Sequence, residues 1–213
     1  RLAVALGEAQ IEQAKAERVT QFLLQMLAES EPNNAQGENV TVLQALERGA
    51  ERLKTELDEV PATKAAILIQ MAESYRELGD YENAEELLKR AGDTLGAMQV
   101  QDPATIVEYE QVAANMFHDK GDYETAGAHY ESAIAVQRSL DPGHVNLVRA
   151  MKDYGTLFID SGDYARAAVE LRAAVDVARA NLPANHALLG TSLGTLAHAN
   201  NQQGESELAR PQF

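Results

Sequence analysis

An all-α solenoid of helix hairpins is the fold that this sequence predicts, and three observations predict it. The tripeptide Gly-Asp-Tyr recurs at Gly79-Asp80-Tyr81, Gly121-Asp122-Tyr123 and Gly162-Asp163-Tyr164, with a decayed copy at Gly204-Glu205-Ser206, at spacings of 42, 41 and 42 residues. Small and large apolar residues stand at fixed offsets from each glycine. Composition agrees, because Trp is absent and aromatic residues reach only 5%, which starves strands and favours close-packed helices.

Residues 1–61 precede the repeats and are helical by pattern. Ile11, Ala14, Val19, Phe22, Leu23, Met26 and Leu27 draw an apolar stripe along one long helix. A loop follows over residues 31–39. Thr41 with Gln44 then makes a capping-box signal, and Val42, Leu43, Leu46, Ala50, Leu53 and Leu57 predict a second amphipathic helix.

In each repeat a helix A ends at the glycine in a left-handed turn, and the Asp behind it caps a helix B. Helix A is expected near 62–78, 104–120, 145–161 and 187–203, and helix B near 81–98, 123–139, 164–181 and from 205 onward. Seven residues before the glycine stand Ala72, Ala114, Gly155 and Ala197, and four before it Tyr75, Phe117, Phe158 and then Asn200. Five after it comes Ala84, Ala126, Ala167 or Ala209; nine after it, Leu88, Tyr130, Leu171 or Phe213. Small residues facing one another let two antiparallel helices approach, and the large residue fills the space beside them. Asp102-Pro103, Asp141-Pro142 and Leu182-Pro183 separate the repeats, since Pro ends one helix or opens the next.

This pattern resembles the tetratricopeptide repeat in its 42-residue form, as in kinesin light chains. The resemblance implies a right-handed superhelical solenoid over residues 62–213, with three complete repeats and one truncated, preceded by two non-repeat helices. Copy four departs from it at Asn200 and Ser206. The last seven residues, 207–213, look like the inside of a helix B, so the native protein is expected to continue. Phe22-Leu23-Leu24, the Glu31-Pro32 loop, Val40-Thr41 and the stretch 48–53 together are similar to the segment before the repeats in bacterial receptor-like serine/threonine protein kinases. That resemblance implies a bacterial, membrane-anchored protein with the module on either side of the membrane. No kinase motif stands in this chain.

The chemistry available is sparse. With 33 acidic against 18 basic residues the formal charge is -15, which opposes nucleic acid and anionic lipid surfaces. No segment is apolar for long enough to insert in a membrane. There is no Cys, so disulfides and thiolate chemistry are excluded, though the compartment is not fixed. His118, His129, His144, His186 and His198 form no metal-binding pair at helical spacing, and His144 and His186 stand where they would help to start helix A. No Ser, His and Asp share a nucleophile-elbow context. Gly92-Asp93-Thr94-Leu95-Gly96 lacks the Gly-Lys-Thr/Ser ending of a phosphate loop, and fraying of helix B is expected there. Neither an enzyme nor a cofactor site is expected.

A solenoid of this kind offers binding, because its stacked A helices line a concave groove. In the tetratricopeptide register, groove positions lie thirteen, ten, six and three residues before the glycine. They are Ala66, Ile69, Glu73 and Arg76; Glu108, Gln111, Asn115 and His118; Arg149, Lys152, Thr156 and Ile159; and Thr191, Gly194, His198 and Asn201. Asn115, Gln111 and Asn201 suit a peptide backbone, and Arg149 with Lys152 makes a basic spot that suits an acidic group. A protein or peptide ligand is therefore the expected partner. The alternative is a self-associating scaffold, a homodimer through the C-terminal edge, where Leu193, Leu196 and Leu208 are expected to be poorly covered.

Overall fold

The computed structural model describes Thr20, residues 42–100 and residues 102–204. Among these residues it is all helical. In order the helices are α1 (Val42–Arg52), α2 (Pro61–Glu77), α3 (Tyr81–Ala97), α4 (Pro103–Asp119), α5 (Tyr123–Leu140), α6 (Val145–Asp160), α7 (Tyr164–Asn181) and α8 (Ala187–Gln202). The long N-terminal helix, the loop over 31–39, Thr41 and the helix B expected from 205 lie outside the described residues.

Local chemistry accounts for the repeat boundaries. Gly79, Gly121, Gly162 and Gly204 have φ of 78°, 77°, 83° and 80°, the left-handed turn that a side chain would strain. Asp80, Asp122 and Asp163 then cap α3, α5 and α7, each accepting the backbone N-H three residues on, from Asn83, Thr125 and Arg166. The A helices begin differently. Asp102 caps α4, while His144 and His186 cap α6 and α8 through Nδ1, which accepts from the Asn146 and Leu188 amides at 3.2 Å.

The chain divides into two compact units, Arg1–Gln101 and Asp102–Phe213. In the first, α2 and α3 form a hairpin whose buried surface includes Leu68, Ala72, Tyr75, Ala84, Leu88 and Ala91. Before it, α1 ends at Arg52, earlier than the apolar pattern predicts. The chain turns there instead, with Lys54 and Thr55 amides bonded to carbonyls three residues back. Leu57 adopts φ 63°, and Leu53, Leu57 and Val60 are buried from this turn and not from a helix. Helix α3 runs unbroken through Gly92 and Gly96 to Ala97, with Leu95 buried, so the expected fraying does not occur. Thr94 Oγ1 bonds back to the Arg90 carbonyl and keeps the last turn closed.

In the second unit five helices pack in sequence around one core. Ala126, Ala167, Ala133 and Ala174 are wholly inaccessible, as are Ala114 and Leu171, and Tyr130 is nearly so. Burying this much alanine brings helix axes close, so dispersion contacts of backbone and Cβ atoms replace those of large side chains. Leu196 is 2% exposed and Leu193 packs against the core, contrary to the poorly covered edge that the sequence suggests. Leu208 lies outside the described residues.

Candidate functional site

The polar positions singled out by the repeat register lie on α2 in the first unit and on α4, α6 and α8 in the second. On α2, Arg76 is held by Glu73 on its own helix through two bonds, Nε to Oε2 at 2.7 Å and Nη2 to Oε1 at 2.8 Å. Ile69 is fully buried; an isoleucine at a groove register gains more from cover than from display. The first repeat therefore shows fewer open positions than its register suggests.

On α4, Gln111 Nε2 donates to Asn115 Oδ1 at 3.2 Å, and the Tyr130 hydroxyl from α5 donates to the same oxygen at 2.8 Å. Both lone pairs of that carbonyl are thereby used. What Asn115 has left to offer is its amide nitrogen with two hydrogens. Glu108 is half-buried on the same helix. His118 Nε2 lies 2.8 Å from Asp160 Oδ2, a contact that joins α4 to the end of α6 one repeat later. The rings of Tyr123 and Tyr130 meet His118 edge-on.

On α6, Arg149 is exposed and makes no side-chain bond among the described residues. Lys152 pairs with Asp153 at 2.7 Å, and Thr156 Oγ1 donates to the Lys152 carbonyl. Ile159 packs partly into the core. On α8, His198 and Asn201 are exposed, as is Thr191, whose hydroxyl bonds back to the Leu188 carbonyl. Helix α8 carries no Asp, Glu, Lys or Arg at all, so no carboxylate of its own opposes an acid lying along it.

Two polar clusters escape sequence reasoning. Tyr154 donates to Glu131 and receives a bond from Arg166 Nη2 at 2.8 Å, while the Arg166 guanidinium stacks 4.2 Å above the Phe158 ring. Burial first, and then the bond to Glu131, push the Tyr154 hydroxyl well above the ordinary tyrosine range. In the second, His129 Nδ1 meets Glu110 Oε2 at 2.6 Å, and its ring stacks on Phe117. A signal existed for the first: eight residues before the glycine, the other repeats carry Met71, Ala113 and Leu196, so a tyrosine at that place is out of pattern. Among the described residues no group of three His, Asp or Glu is placed to hold a metal ion. None of their helices is long and apolar enough to cross a membrane.

A row of helix hairpins with a polar A-helix face is the class of structure that these contacts define. Two stretches match tetratricopeptide-repeat family models, residues 67–100 and residues 109–180, so the chain carries tetratricopeptide repeats. Among solved structures it is similar to that of a Podosopora anserina protein described as a kinesin light chain with nearly identical TPR-like repeats. The TM-score is 0.69 at 19% identity, covering 93% of this chain and 92% of that one. It is also similar to the apo form of RapI, with TM-score 0.71, 16% identity, and 91% and 67% coverage. A Pyrococcus horikoshii signal-transduction ATPase with a tetratricopeptide repeat sensor matches at TM-score 0.64 and 20% identity, over 79% of this chain and 27% of that one. At these identities the likeness is one of fold. No sequence among the curated proteins matches this chain.

Proposed function

We propose that the second unit is a non-catalytic module that holds an extended acidic peptide segment against α4, α6 and α8. The observation that carries this reading is the set of hydrogen-bond donors left open there. Asn115 has only its N-H groups to give, Arg149 is an exposed donor with no partner among the described residues, and α8 adds His198 and Asn201 without any carboxylate. Donors of this kind suit backbone carbonyls and side-chain carboxylates. The solved neighbours include a protein titled as carrying a tetratricopeptide repeat sensor, and the segment before the repeats resembles that of bacterial receptor-like serine/threonine kinases. We therefore read the module as the sensor or interaction end of a bacterial signalling protein of that kind.

An array of random peptides, graded from acidic to basic and probed with the 213-residue chain, tests the ligand. Acidic peptides should bind, and Arg149→Glu with Lys152→Glu should weaken them and flatten their salt dependence. Equal binding by parent and charge-reversed protein would place the site on another face.

A further inference from the structure

The first unit holds a cleft that the repeat register does not explain. Its volume is ≈ 630 Å³, within the range of about 300–1,000 Å³ typical of small-molecule sites. Pro61, Ala97, Met98 and Val100 supply apolar wall, and Lys64 and Asp58 supply the charge. Val100 is 81% exposed, an aliphatic side chain left facing water at the edge of the cleft.

Lys64 is the unusual member. It is only 9% exposed, and burying an ammonium is costly unless an anion compensates it. The compensating group is Asp58, whose Oδ1 lies 2.5 Å from Nζ and whose side chain is 69% exposed in the turn before α2. The anion that holds the buried cation is therefore itself at the surface and exchangeable with water. The residue beside it is Leu57, with φ of 63°. A bulky residue pays for that conformation, and such strain persists where surrounding structure imposes it, commonly at clamps and switches. Pro61, another wall residue, opens α2, and the Val60 cap places no side-chain acceptor over that helix's first N-H groups. The partial positive charge of the helix start adds to that of Lys64.

We propose that this cleft binds a small amphipathic carboxylate, with its acid on Lys64 Nζ in place of Asp58 and its hydrocarbon body against Pro61, Ala97, Met98 and Val100. Asp58 is then a built-in competitor that occupies the Lys64 cation when no ligand is present. No covalent step is involved. The ligand class follows from charge complementarity at one buried cation and from apolar walls around it.

Calorimetric titration of the whole 213-residue chain with decanoate tests this directly. Decanoate should bind, while decanol, with the same body and no acid, and acetate, with the acid and no body, should each bind at least tenfold more weakly. Asp58→Asn should tighten decanoate several-fold, and Lys64→Met should weaken it at least tenfold. If circular dichroism shows that Lys64→Met does not fold, the Asp58→Asn and decanol titrations decide. No heat with decanoate, equal binding of decanol, or an Asp58→Asn variant that binds no better than the parent overturns the proposal.

Discussion

A Cβ built on Gly155 would stand 2.5 Å from Leu171 Cγ and 2.7 Å from its Cδ2. Helices α6 and α7 thus meet where one residue has no side chain and the other has a full one. The repeat pattern pairs these positions in every copy, a small residue seven before the glycine and a large one nine after it. In copy three the pairing has gone to its extreme.

Gly155→Ala should therefore destabilise, because Leu171 is wholly buried and the clash reaches its Cγ as well as a terminal methyl. Overpacking of this kind costs about 1–3 kcal/mol. Gly127 provides the contrast, since its added Cβ would meet only Tyr154 Cε2 at an ordinary 3.8 Å. Gly127→Ala should gain about 0.5–1 kcal/mol from the lower chain entropy of the unfolded state. Urea midpoints that move in opposite directions for the two variants confirm the crossing, and a shared direction refutes it.

Asn200 occupies the place where copies one to three carry Tyr75, Phe117 and Phe158. It is fully buried, and among the described residues neither its Oδ1 nor its Nδ2 has a hydrogen-bond partner. A buried amide in that state forfeits about 1–3 kcal/mol of hydration. Asn200→Leu should accordingly raise the thermal midpoint, by an amount corresponding to about 1 kcal/mol. A lower midpoint would mean that the amide finds a partner in solution.

What was legible in the sequence was what is local. Gly121 and Asp122 define a turn and a cap within a few residues, so their recurrence gave both the boundaries and the hairpins. His144 and His186 were readable as helix starters for the same reason. Leu57 was not, because the apolar spacing of Leu53 and Leu57 suits a helix as well as the buried turn that forms. Nor was the tie between His118 and Asp160, which lie one whole repeat apart and meet only after the helices stack. Groove register located Asn115, but only the arrival of Tyr130 from the next helix determines which half of its amide remains to bind anything.

Tyr154 tests whether the third-repeat cluster is structural. Its hydroxyl links Glu131 to Arg166, so Tyr154→Phe leaves the ring packing intact and removes the bridge, at a cost of about 1–2 kcal/mol. Because its folded pKa is raised above 10.0, the unfolded chain ionises first. The contribution is complete below pH 10 and is lost as pH climbs toward the folded value. Stability curves of parent and variant should converge at strongly alkaline pH, and a constant gap would assign the cost to packing.

Asp102 gives the opposite sign at the acid end. Its carboxylate accepts the Thr105 hydroxyl at 2.9 Å and the amides of Ala104 and Thr105 at 3.4 and 3.2 Å. The Thr105 hydroxyl bond chiefly holds it below its ordinary 3.8; burial opposes this, and the bonds from the Ala104 and Thr105 amides add to the lowering. Since the folded state binds the proton less tightly, the unfolded state takes it up first as pH falls. The cap's contribution is therefore complete above about pH 5 and fades as pH drops through 3.8 to the lower folded value. Asp102→Ala should cost about 1 kcal/mol at neutral pH. That cost should shrink in acid, while Asp102→Asn, which keeps an acceptor but cannot ionise, should lose less at pH 7 and should stay more stable than Asp102→Ala by an amount that does not change with pH. Parallel denaturation curves for parent and Asp102→Ala from pH 7 to pH 3 would show that the charge plays no part in the cap.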